Sequence, residues 1–119
     1  MHGLPANFDA SRLVGCTLEL VSFSISTVHL AFSNAVSITI EGSFLHSPAG
    51  GANGVERAHP PVRSSRLMQL VEETIESAHA STDGTLKLTF ANGQSLTCYD
   101  DTPMYEAYRL CLGDEEIIV

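Results

Sequence analysis

The chain contains no tryptophan and a single lysine, Lys87. Aromatic residues make up only 7%, so a broad stacking surface for nucleic-acid bases is not expected. Phosphate backbones are bound by Lys and Arg, because neutralised phosphates release their counterions. Six basic residues against 14 acidic ones, for a net charge of −8, argue against a nucleic-acid partner. They argue equally against an anionic membrane surface and favour a basic protein partner. No run approaches the roughly 18 apolar residues of a membrane-spanning helix. The N-terminal Met1-His2-Gly3-Leu4-Pro5 lacks the basic and apolar regions of a secretory signal. Cysteine is scarce too: Cys16, Cys98 and Cys111 are odd in number, with no pair at zinc-knuckle or redox-motif spacing. Reduced, buried thiols in a cytoplasmic protein are the expectation.

What is present is a globular composition, with 44% apolar and 17% charged residues in 119. That length fits one domain, 1–119, able to bury a core without a disulfide or metal. Its strongest internal signal is self-similarity between 13–42 and 70–100. At an offset of 57, Leu13, Val14, Thr17, Glu19 and Ser24 recur as Leu70, Val71, Thr74, Glu76 and Ser81. One extra residue then enters the second copy. At an offset of 58, Thr27, Leu30, Phe32, Asn34, Ser37 and Thr39 recur as Thr85, Leu88, Phe90, Asn92, Ser95 and Thr97. The turns fall at matching places, which marks a duplication rather than shared strand composition.

Each copy reads as a three-stranded antiparallel meander. Asp83-Gly84 and Asn92-Gly93 have the composition of two-residue type I′ hairpin turns. Leu86, Leu88 and Phe90 alternate with Lys87 and Thr89, as Val28, Leu30 and Phe32 alternate with His29 and Ala31. This is the period of a strand with one buried face. Val36, Ile38 and Ile40 form the next inward row, matched by Gln94, Leu96 and Cys98. Ser37, Thr39, Ser95 and Thr97 are expected to face out. The opening strand is harder to phase, because Cys16, Leu18 and Leu20 imply one face and Val21 and Phe23 the other. A β-bulge or burial on both faces would explain it. Short strand pairs are expected at 42–46 with 55–59 and at 104–112 with 115–119. After Pro60-Pro61, Ser64 or Ser65 can cap one short helix through Arg66, Leu67, Met68 and Leu70. The predicted fold is mostly β: two pseudo-repeated antiparallel meanders in a sandwich, roll or half-open barrel, with one short connecting helix.

Catalytic signatures are missing. His2, His29, His46, His59 and His79 show no metal-ligand spacing and read as surface or loop residues. The serines include no nucleophile elbow, and the cysteines sit on apolar rows where a catalytic thiolate is disfavoured. Gly50-Gly51 and Gly54 are followed by Val55-Glu56-Arg57, not by the Lys-Ser/Thr of a phosphate loop. The 47–61 stretch is long for a compact domain and is expected to be disordered rather than ligand-binding. No catalytic, metal or cofactor site is assigned. Asp100, Asp101, Glu106, Asp114, Glu115 and Glu116 crowd the last twenty residues, where Arg109 is the only base. They are the candidate partner-binding acidic patch.

The second copy and the tail carry a further pattern. Gly84-Thr85-Leu86-Lys87-Leu88-Thr89-Phe90-Ala91-Asn92-Gly93 is followed by Asp100-Asp101, by Tyr105-Glu106-Ala107-Tyr108 and by Ile117-Ile118-Val119. This resembles a family of small uncharacterised bacterial proteins, a domain of unknown function. Its members end in G-x-L-x-L-x-F-x-x-G and then Y-E-S/A-W/Y, with Tyr108 here at the final aromatic. The resemblance runs from about Leu13 to Val119. It implies a loose link to immunity proteins of bacterial toxin systems and offers no catalytic residue to carry over. The leading expectation is thus a non-enzymatic protein-binding module, of immunity type, with an acidic surface for a basic partner. The alternatives are a small-ligand binder or unrecognised enzyme using a cleft between the halves, and a structural dimerisation domain. A cleft lined by His79, His29 or the late carboxylates would favour the former. The apolar Ile117-Ile118-Val119 end, read as an edge strand, suggests a homodimer.

Overall fold

The computed structural model describes residues 3–49 and 57–119. Val55 and Glu56, expected in a short strand, the glycines of 50–54 and His2 lie outside the described residues. Among the described residues nine strands form two antiparallel sheets around one apolar core. The first copy supplies β1 (Leu18–Phe23), β2 (Val28–Phe32), β3 (Val36–Ile40) and β4 (Phe44–Ser47). The second supplies β5 (Ile75–Ala80), β6 (Leu86–Phe90), β7 (Ser95–Cys98), β8 (Tyr108–Leu112) and β9 (Glu115–Ile118).

The sheets do not divide as the copies do. One has the order β1-β2-β3-β8-β9 and the other β4-β7-β6-β5. Each copy keeps its three-stranded meander and sends its fourth strand across to the other sheet. Among the described residues the result is two sheets with no closed barrel. Inward rows follow the alternation: Val28, Leu30, Phe32, Val36, Ile38 and Ile40 in one sheet face Leu86, Leu88, Phe90, Leu96 and Cys98 of the other. Burying these side chains is the main driving force for joining the copies.

The sheets meet along a seam between the opening strands. Thr17 and Thr74 form an isolated antiparallel bridge, and their hydroxyls lie 2.8 Å apart across a sequence separation of 57. Residues that match in the sequence repeat therefore stand opposite each other. Both opening strands carry the same β-bulge, at Glu19 between Leu18 and Leu20 and at Glu76 between Ile75 and Ser77. The bulge, not burial on both faces, resolves the phase of that strand.

The expected helix is a single 3-10 turn, Leu67–Leu70, begun where the Ser65 hydroxyl accepts the Leu67 N–H at 2.9 Å. A counterpart that sequence patterning missed, Ala10–Leu13, stands 57 residues earlier. Asp9 caps it by accepting the Ser11 hydroxyl and N–H, which holds the Asp9 carboxyl below its usual range. Leu13, Leu67 and Leu70 close the core beneath these turns.

Several local expectations need correction. The Asp83-Gly84 and Asn92-Gly93 hairpins are not two-residue type I′ turns. Only the glycines take positive φ (91° and 90°), and the closing bonds span three residues: Ser81 N–H to Thr85 C=O, and Phe90 N–H to Gln94 C=O. A turn with a left-handed third residue matches the twist of its strands equally well. The Asp83 carboxylate accepts the Thr85 N–H at 3.0 Å, and this bond lowers its pKa. In the first copy, Ser24 N–H bonds Thr27 C=O, so the extra residue of the second copy does enter this hairpin. Ser95 and Thr97 point away from the core yet are buried, at 9% exposure each. Of the cysteines, Cys16 and Cys98 are buried, whereas Cys111 is half-buried on the outer face of β8. The strand pair expected at 42–46 and 55–59 is β4 with one bridge, Phe44 to Ala58, among the described residues. No helix among the described residues is long and apolar enough to cross a membrane.

Candidate functional site

The six late carboxylates do not form one cluster. β8 runs from Tyr108, paired with Ile40, to Leu112, paired with Val36. Asp100, Asp101 and Glu106 lie toward its first end, and Asp114, Glu115 and Glu116 at its far end, on the turn into β9 and the start of that strand. The two groups are thus a strand length apart, roughly 15 Å. In the first group Asp100 accepts the Gly3 N–H at 2.9 Å and packs against Gly84. Asp101 accepts the Ser43 hydroxyl and meets Arg57 at 3.4 Å. Arg57 in turn stacks over Tyr99, 3.5 Å from the ring centroid. In the second group all three acids are exposed, and Glu115 pairs with Arg12 at 2.6 Å.

A shallow depression of about 230 Å³ gathers Ser43, His59, Asp101, Thr102 and Tyr105. Serine, histidine and aspartate occur together there, but the bonds do not run in the order of a nucleophilic triad, which needs the histidine between the other two. Ser43 gives its hydroxyl directly to Asp101, and His59 Nδ1 lies 3.1 Å from the Pro60 carbonyl.

A larger cavity, about 320 Å³, opens between β4 and the segment that joins the copies. Phe44, Ala58 and Val62 supply apolar wall, and Ser64, Ser65, Arg66 and Gln69 supply donors. His46 and Gln94 also line it and are bonded to each other, Nε2 to Oε1, at 2.6 Å. His46 was expected on the surface; it pairs in register with Leu96 and so belongs to an inward row. The histidines expected to mark a cleft stand elsewhere. His29 bonds Thr39 at 2.9 Å on the outer face of the five-stranded sheet, and His79 pairs with Lys87 on the outer face of the other. The sequence did hold a signal for this cavity, since Gln94 falls on a row whose other members are apolar. Among the described residues no group of three or more His, Cys, Asp or Glu is placed to hold a metal ion.

The chain matches a family of unknown function, DUF6188, over residues 10–119, and it belongs to that family. No curated protein and no solved structure matches it.

Proposed function

We propose that this DUF6188 protein is a non-enzymatic protein-binding module of the bacterial cytoplasm, of immunity type, that docks a basic partner. The observation that carries the reading is the β8–β9 corner. Asp114, Glu115 and Glu116 are consecutive and exposed there, and Arg12 is the one cation paired with them among the described residues. In a chain of net charge −8 such a corner draws a basic surface from a distance and sets the encounter rate. The G-x-L-x-L-x-F and Y-E-A-Y pattern adds the immunity association by resemblance.

The test is capture of partners from the host lysate on the immobilised chain at low salt, beside a D114K/E116K variant. A basic protein should be retained by the native chain, released by salt and bound roughly tenfold or more weakly by the variant. Equal retention by both chains, or retention indifferent to salt, would overturn the reading.

A second reading, a homodimerising domain, has its own support in edge strand β1. Leu20, Phe23 and the neighbouring Ile25 are 53%, 41% and 83% exposed. The C-terminal residues support it less, because Ile117 and Val119 are buried in the chain's own core and the β9 edge carries Glu115 and Glu116. Sedimentation should then show a dimer that L20S/I25S dissociates; a monomer at all concentrations would remove this reading.

A further inference from the structure

The duplication provides an internal reference for the 320 Å³ cavity. Gln94 occupies the position that Val36 occupies in the first copy, two residues ahead of the matched pair Leu96 and Ile38. Leu96 pairs with His46 and Ile38 pairs with Leu110, so His46 stands where Leu110 stands in the other sheet. Val36 and Leu110 are both buried apolar residues. At the equivalent places of the second sheet the chain has put two polar side chains, adjacent and hydrogen-bonded at 2.6 Å. A half-buried polar pair costs stability where leucine and valine would fit. Both replacements occur at the wall of the same cavity, and neither is needed by the fold, since the other half does without them.

The rest of the lining gives the chemistry of an occupant. Arg66 has no ion-pair partner among the described residues. Ser65 already accepts the Leu67 N–H, which leaves its own proton to donate. Ser64 and Gln69 add donors, and no Asp or Glu lines the cavity among the described residues. A carboxylate-free, arginine-bearing cavity is notable in a chain with 14 acidic residues. Phe44, Ala58 and Val62 offer an apolar wall beside it. The volume lies at the small end of ligand sites.

We propose that this cavity binds a small organic carboxylate. The carboxylate would meet the fork of Arg66 and the side-chain amide N–H of Gln94, whose oxygen His46 holds, and the apolar body would lie against Phe44 and Val62. This site is independent of the acidic corner and would stand if no basic partner were found.

The experiment is a titration of the full chain, followed by amide chemical shifts, with benzoate and phenylacetate at millimolar concentration, and with benzamide and inorganic phosphate as controls. The carboxylates should shift amides around Phe44, His46, Arg66 and Gln94. Benzamide and phosphate should bind at least tenfold more weakly. R66Q, on an exposed side chain, should weaken benzoate about tenfold or more with the spectrum otherwise preserved. H46L/Q94V, which copies the other half, should remain folded and lose binding. Absence of shifts with either carboxylate, benzamide binding as well as benzoate, phosphate binding as well as benzoate, or unchanged affinity in R66Q would each overturn the proposal. If H46L/Q94V fails to fold, R66Q and the benzamide comparison still decide it.

Discussion

Gly15 and Glu72 occupy equivalent places 57 residues apart, each just after a 3-10 turn, and both hold positive φ, 90° and 77°. Glycine adopts that region freely, while a residue with a Cβ loses roughly 1–2 kcal/mol there. Glu72 N–H bonds Leu18 C=O at 2.8 Å, so the seam holds the backbone in place despite the strain. E72G should therefore stabilise the protein, with the relief partly offset by glycine's unfolded-state entropy, for a net gain of up to about 1 kcal/mol. The reciprocal G15A has open space around its new methyl group and should destabilise through φ alone, by about 1–2 kcal/mol. Urea unfolding of the pair checks both signs. A loss of stability in E72G would show that the Glu72 side chain contributes more than its backbone strain costs.

Among elements, the decisive ones are the two crossovers that carry β4 and β8 into the opposite sheets. The first crossover passes hard against the start of β8. Glu41 and Gly42 both donate to the Ala107 carbonyl, at 2.9 and 2.7 Å. A Cβ on Gly42 would lie 3.2 Å from the Ala107 backbone and 3.1 Å from Thr102 Cγ2. G42A should destabilise by about 1–3 kcal/mol, because backbone rather than a flexible side chain has to yield. At Gly113 nothing lies within 4 Å but φ is +64°, so G113A isolates the left-handed backbone cost of about 1–2 kcal/mol without any clash. Thermal unfolding in which G42A left the midpoint unchanged would refute the close-packed crossover.

For the molecule as a whole, stability should fall in alkali. Cys98 is buried, and its thiol is pushed up to about 12 from 9.0. Burial, then the charges of Cys98 and Asp83, raises the Tyr108 phenol above its ordinary 10.0 while its hydroxyl donates to the Gly84 carbonyl at 2.6 Å. Both groups stay neutral when folded and ionise when unfolded. Their stabilising contribution is therefore complete below pH 9 and is lost as pH rises, with Cys98 acting from about 9 to 12 and Tyr108 joining above about 10. Each group adds a slope of about 1.4 kcal/mol per pH unit once its unfolded form ionises. Urea midpoints across the alkaline range should show the decline, and C98A should flatten its first part. A flat profile would contradict the burial of both groups.

Local periodicity made the meanders, the duplication and the inward rows legible in the sequence, because a strand's alternation and a turn's glycine are set by neighbours one to four residues away. The 3-10 turn at Leu67–Leu70 was legible for the same reason. Asp9 and its turn obey that chemistry too, but their apolar signal, Leu13 alone, is too short to stand out. The exchange of β4 and β8 between sheets was not legible, since pairing partners as far apart as Ser47 and Ser95 or Val36 and Leu112 leave no trace in the period. That exchange is what separates Asp100 and Asp101 from Asp114 to Glu116, and it is what turns His46 inward beside Gln94. The candidate cavity was thus half visible, as one glutamine on an apolar row. The tertiary structure supplied the rest, because only the packing of one sheet's edge against the segment joining the copies brings a histidine, a glutamine and an arginine to the same space.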